Sequence, residues 1–299
     1  MSKNNKAKPD QRQQGTVLKW AGNKTAIMHE LLKHLPAGSR LVEPFAGSCA
    51  VMMATDYPAY LIADINPDLI NLYQTIAVDC ESFIELAQVI HEAYATSDDY
   101  YHIRNAFNQN AELSLEARAA YFLYLNRHCY RGLCRYNKKG YFNVPYGNYK
   151  TPYFPEKEIR EFAEKAKRAT FICAGYEETL NKLQTGDVIY CDPPYVDTFS
   201  GYHTAGFTED DQYRLASILE RRSSERYPVI ASNADTLLTD SLYRSFTLHR
   251  IKAPRSINID AGNGKSANEI IAVSPFLPVW SGVDLANSSD VSGYAGVNA

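Results

Sequence analysis

Short continuous apolar runs alternating with helical patterns constrain this chain more than any other feature. The runs are 40–45 (RLVEPF), 59–64 (AYLIAD), 170–173 (TFIC), 188–191 (VIYC) and 228–232 (PVIAS). Runs of that length bounded by turn residues read as buried strands. Strands separated by helices imply an α/β fold: a mostly parallel sheet covered by helices on both faces. Two later runs, 246–251 and 269–273, suit a terminal antiparallel pair. Helix starts are also legible. Asn66 followed by Pro67 gives an N-cap and a first helical position. Thr208 with Asp211 gives a capping box, a weak one because the usual partner is Glu or Gln, for a helix to about Arg222.

The expected organisation is a disordered leader over 1–15, a discontinuous α/β domain over 16–80 and 168–280, an insert over 81–167, and a flexible tail over 281–299. The insert reads as mainly helical, then aromatic and irregular. With 45% hydrophobic and 22% charged residues the chain falls in the ordinary globular range. No run approaches the roughly 18 apolar residues of a membrane span, and no secretory signal is legible. The 6 cysteines are scattered without a CxxC pair. Disulfides and a metal site are therefore not expected, and a reducing cytoplasm fits. The net charge of −3 does not mark the whole molecule as a polyanion binder, so local charge decides.

Four local patterns carry chemistry. Residues 42–48 (VEPFAGS) join a strand to a small-residue turn, where backbone can approach a ligand; Glu43, Phe45 and Gly47 fall in it. About 20 residues on, Asp64 ends the second strand, where a carboxylate can accept from ribose hydroxyls. A tight turn with an acidic helix cap is the alternative.

The most specific pattern is Asp192-Pro193-Pro194-Tyr195, directly after the run 188–191. An exocyclic aromatic amine is a poor nucleophile because its lone pair is delocalised into the ring. Asp192 can accept one N–H and a carbonyl near Pro193 the other, turning the lone pair toward a methyl donor. Consecutive prolines stiffen that loop, and Tyr195 offers a ring on which an extruded base can stack. A proline turn that merely ends a strand is the alternative.

From Ala117 to Pro155 there is no Asp or Glu, while Arg118, Arg127, Arg131, Arg135, Lys138, Lys139 and Lys150 are interleaved with eight tyrosines. Cations bind phosphates and read guanine, and aromatic rings stack on bases. A solvated basic face is the alternative. Near the N-terminus, Trp20 can stack on an adenine ring or a sulfonium and Lys24 can meet a carboxylate. From the residues alone, Trp20 reads first as a ring capping the core.

With these motifs in place, the chain resembles the Dam-type DNA adenine methylases of bacteria and phages, which modify GATC. The matching stretches run from about Leu18 to Val273: LKWAG-K at 18–24, LVEPF-G at 41–47, ADIN at 63–66, FLYLNR at 122–127, Y-GLCRYN at 130–137, FNVP-G-YK-PYFPE at 142–156, CDPPY at 191–195, and the segment from Tyr202-His203 to Phe207-Thr208. The resemblance implies a Rossmann-like methyltransferase sheet with a target-recognition insert, S-adenosylmethionine as cofactor, double-stranded DNA as partner, no metal, and a monomer. It implies that Trp20, Lys24, Asp64 and Asp192 contact the donor. It implies that Lys19, Leu133, Arg135 and Pro145 face bases, that Tyr130 inserts beside a flipped adenine, and that Tyr149 touches the DNA backbone. Arg131 and Asn137 stand in the same stretch and are grouped with them. The chain departs from the family at Asn23 and Cys49, where glycines are usual, and at Arg131, where asparagine is common. A fourth departure is 258–269 (NIDAGNGKSANE), which lacks expected basic residues. Methylation of the cytosine amine, or DNA binding without catalysis, are the competing readings.

Overall fold

In a computed structural model, residues 15–195, 206–254 and 266–275 are described. The leader and tail expected from the sequence, the Tyr202-His203 match and most of 258–269 lie outside the described residues, apart from Gly15 and 266–269.

Seven strands form one sheet: β1 (Arg40–Glu43), β2 (Ala59–Asp64), β3 (Ala169–Cys173), β4 (Asp187–Cys191), β5 (Val229–Ala234), β6 (Thr247–Pro254) and β7 (Ser266–Val273), in the order β3-β2-β1-β4-β5-β7-β6. The pairs from β3 across to β5 are parallel. β7 then enters antiparallel between β5 and β6. All five expected apolar runs are strands, and the terminal antiparallel pair is present. Its intrusion beside β5 was not legible, because sequence spacing does not fix which strand a returning strand joins.

Ten α-helices are present among the described residues: α1 (Met28–Leu31), α2 (Ala50–Ala54), α3 (Pro67–Val78), α4 (Cys80–Ala93), α5 (Ser97–Gln109), α6 (Leu115–His128), α7 (Glu156–Ala166), α8 (Tyr176–Leu180), α9 (Glu209–Ser224) and α10 (Leu237–Leu242). The expected caps form. The Asn66 side chain accepts from the Asp68 and Leu69 amides ahead of Pro67. Thr208 and Asp211 close both bonds of the capping box on α9.

The sheet is buried on both faces. Val188, Tyr190 and Ile230 join one apolar cluster, while Ile189, Cys191, Val229 and Ala231 join the other. The first cluster continues without a break into Phe107, Phe122 and Phe142 of the 81–167 segment. There α4 and α6 pack against α3, and α4 and α5 both pack on α6. After a 3-10 turn, Tyr130–Gly132, the chain is irregular, with bridges pairing Cys129 with Tyr146 and Tyr136 with Phe142.

Candidate active site

The chain runs outward from β1 to β3 on one side of the sheet and from β4 to β5 on the other, so the strand order reverses between β1 and β4. Ligands of doubly wound sheets bind beyond the carboxyl ends of the strands at that point. There the described residues enclose a cleft of about 690 Å³ lined by Trp20, Lys24, Glu43, Phe45, Gly47, Asp64, Asp192, Pro193, Pro194 and Tyr195, among others. Every residue expected from the sequence to bind cofactor or carry catalysis is therefore in one cavity.

The turn after β1 shapes one wall. Gly47 is left-handed at φ 47°, and a Cβ there would lie 2.9 Å from Trp20 Nε1. Glycine is thus needed both for the backbone and for the approach of the indole. The Gly47 amide donates to Asp64 Oδ2 at 3.2 Å, and the Asn66 amide donates to Oδ1 at 3.0 Å. Asp64 is thereby aimed from the end of β2 into the cleft. Trp20 is half-buried, packing on the core with one side and lining the cleft with the other.

At the floor, Lys24 Nζ meets Asp192 Oδ2 at 2.7 Å and lies 4.7 Å from the centre of the Tyr195 ring. Lys24 also donates to the Gly22 carbonyl at 2.6 Å. Asp192 Oδ1 is buried with no hydrogen-bond partner among the described residues. Burial pushes the Asp192 carboxyl up to about 6, against the pull of Lys24. Glu43, on β1, is more deeply buried, and its Oε1 is likewise unpartnered. Burial first, then the charge of Asp192, raises it to about 8, so it is protonated at neutral pH. The cleft has carboxylates at Asp64, Asp192, Glu177, Glu178 and Asp211 but one cation, Lys24, among the described residues. That balance favours a bound cation.

Sequence reasoning missed several members. Tyr195 donates to Glu269 on β7 at 2.8 Å, a partner brought in by the strand intrusion. Phe45 stacks on Tyr176 at 5.7 Å, and Phe207 meets both rings edge-on, making an aromatic wall. These partners come from distant segments, so no local spacing announces them.

The expected DNA-facing residues gather around the 3-10 turn. Lys19 Nζ lies 4.0 Å from the centre of the Tyr149 ring. Gly132 packs so close to Lys19 that a Cβ would overlap its side chain. Tyr130, 44% exposed, donates its amide to the Pro145 carbonyl at 2.8 Å. Leu133 is half-buried, and Arg135 is exposed and braced by Asn143 Oδ1 at 2.7 Å. Asn137 Oδ1 accepts from the Lys139 and Tyr141 amides, so this side chain shapes its own turn.

Two cations of the acid-free span are not available for phosphates. Arg118 is paired with Asp68 at 2.6 Å. Arg127 is buried and donates to the carbonyls of Thr16 and Val17. Burying a guanidinium is costly unless its N–H groups are satisfied, and here they fasten the N-terminal strap to α6. Asn126 adds to that junction, accepting from the Lys19 amide at 2.9 Å and donating to the carbonyls of Lys19 and Gly132 at 2.8 and 3.2 Å. An Asn-Arg pair directly after the apolar run 119–125 of that helix was the available signal.

Two family departures fall on left-handed backbone: Cys49 and Arg131 both have φ 57°. Glycine and asparagine tolerate that region best, which explains the residues usual there. Asn23, at φ −51°, has ordinary backbone and caps the following 3-10 turn through Thr25 N.

Comparison with known proteins agrees with this geometry. The chain is 69% identical over 277 residues to a retron Ec67 DNA adenine methylase of Escherichia coli, covering 93% of this chain and 97% of the relative. It is 46% identical to the DNA adenine methylase of Serratia marcescens over 86% of this chain and 97% of the relative. It is 42% identical to that of Escherichia coli K12 over 86% and 94%, respectively. Residues 20–257, containing the whole Asp-Pro-Pro-Tyr loop and its cleft, match a family whose substrate amine is that of adenine rather than cytosine, and the chain belongs to the D12 class of N6 adenine-specific DNA methyltransferases.

Proposed function

We propose that this chain moves the methyl group of S-adenosylmethionine onto the 6-amino group of an adenine flipped out of double-stranded DNA, within the sequence GATC. One observation carries the reading: Asp192 Oδ1, buried and without a partner among the described residues, sits on the proline loop at the floor of the cleft.

The cleft fits this donor. Its excess of carboxylates suits a sulfonium, its aromatic wall suits a purine, and Asp64 suits ribose hydroxyls. When bound, the donor supplies an electrophilic methyl carbon. The chain's own residues do the rest. Asp64 and Trp20 hold the nucleoside side of the donor, and Lys24 its carboxylate. Glu43, Phe45 and Gly47 shape the surrounding wall. Asp192 Oδ1 would accept one amine N–H and the Pro193 carbonyl the other, which would draw the lone pair out of conjugation with the ring and turn it toward the methyl carbon. Pro194 stiffens the loop and Tyr195 stacks on the base. The same acidic lining repels phosphate, which favours entry of the neutral base over the DNA backbone.

Residues 81–167 serve as the target-recognition insert. Lys19, Leu133, Arg135 and Pro145 read base edges, and Tyr130 fills the gap left by the flipped adenine. Arg131, Asn137 and Tyr149 track the backbone.

Unmethylated plasmid incubated with the protein and S-adenosylmethionine tests the reading. Cleavage by a GATC endonuclease blocked by adenine methylation should be lost, while cleavage by one that ignores methylation persists. Continued cutting by both would refute the GATC assignment. Nucleoside analysis would then show whether N6-methyladenine had formed at another sequence.

A further inference from the structure

The Pro194 carbonyl accepts a hydrogen bond from Gln212 Nε2 at 2.7 Å. Gln212 lies in the first turn of α9 and is 3% exposed. Its Oε1 accepts from Asn233 Nδ2 at 3.0 Å, and Asn233 is fully buried on β5. Asn233 Oδ1 in turn accepts from the Ala234 amide at 2.9 Å. The donors all run one way, from a strand backbone through two amides to the loop. A backbone N–H can only donate, so Asn233 must present its oxygen there and its NH2 to Gln212. Gln212 must then present its own NH2 to Pro194. Neither amide can flip without placing oxygen against oxygen.

This chain bears on the reaction because the amine's two acceptors, Asp192 Oδ1 and the Pro193 carbonyl, lie directly before Pro194 in the loop. With the Pro194 carbonyl drawn toward α9, the loop acceptor left for the amine is the Pro193 carbonyl. We propose that Gln212, oriented by Asn233, is a positioning residue for methyl transfer: it locks the Pro194 carbonyl and so fixes the Asp192 and Pro193 acceptors against the amine. The inference rests on the base-gripping role given to that loop above.

Gln212→Met keeps side-chain length and removes the donor. Its single-turnover methylation rate at saturating DNA and S-adenosylmethionine should fall by about 10–100-fold, since a displacement of about 1 Å costs that much. DNA affinity should stay within about twofold. Gln212→Asn, one methylene too short to span both partners, should behave alike and serves if the Met variant does not fold. Asn233→Asp should cost the same fold although Gln212 is retained. A carboxylate accepts from both sides, so Gln212 turns its oxygen toward Pro194. A side-chain amide NMR spectrum reads the lock without any catalysis. The Gln212 NH2 protons should exchange slowly in the wild-type protein and shift in Asn233→Asp. An unchanged single-turnover rate in folded Gln212→Met overturns the proposal, as does solvent-like exchange of the Gln212 amide. Rate and DNA affinity falling together would show a merely structural residue, also overturning it. Failure of the wild-type protein to form N6-methyladenine would instead strike the underlying reading, leaving the lock to be judged by exchange.

Discussion

Lys24 Nζ stands 2.7 Å from Asp192 Oδ2, so the lysine proposed to hold the donor carboxylate also opposes the effect of burial on the loop carboxylate. Burial raises Asp192 to about 6 and Lys24 opposes the rise. Accepting an amine N–H requires the ionised form, so the methylation rate should fall as pH drops through about 6. Lys24→Met removes the opposing charge. The acidic limb of the single-turnover pH profile, measured at saturating donor, should then move up by about one unit or more. An unmoved limb would show that another group titrates.

Glu43 gives a stability prediction of definite sign. Its folded value, about 8, lies above the ordinary carboxylate range. Between those values the native state holds a proton that the unfolded chain has lost, so stability falls as pH rises. Glu43→Gln keeps the shape of the protonated acid and should remove that slope. Near pH 8 the variant should be more stable than the parent by on the order of 4 kcal/mol, and near pH 4 about equal. Denaturant unfolding at the two pH values decides; equal slopes in parent and variant would contradict it.

Substituting Gly47 should separate the proposed donor binding from DNA binding. Alanine there would strain a left-handed backbone by about 1–2 kcal/mol and push the indole of Trp20 from its seat. Calorimetry should show S-adenosylmethionine affinity lowered by about tenfold or more, with DNA affinity little changed. Unaltered donor affinity would remove Trp20 from the donor wall.

Arg135 tests base reading. It is exposed and braced by Asn143 Oδ1 at 2.7 Å, beside the 3-10 turn. Arg135→Ala should relax discrimination at one base pair by about 1–3 kcal/mol, measured against substrates altered one position at a time. A uniform loss across all sequences would make it a phosphate contact.

How far the sequence was readable varied with the range of the interaction. The Asn66 and Thr208 caps were legible because capping is settled within a few residues, and both formed. The acid-free span was legible as a charge pattern, yet Arg127 and Arg118 turned inward. Charge along the chain does not say which face of α6 is buried. Glu269 was not readable at all, because its partner Tyr195 is 74 residues away.

Local periodicity and turn chemistry, then, determined by themselves the order of strands and helices and the place of the Asp-Pro-Pro-Tyr loop at a strand end. They are set by neighbours a few residues apart. The tertiary structure alone decided that β7 would slip in beside β5 and bring Glu269 to Tyr195, that Asn233 and Gln212 would reach the Pro194 carbonyl, and that Lys24 would pair with Asp192. Those contacts depend on which elements come to lie side by side, and packing of two apolar sheet faces sets that only once the whole chain has closed.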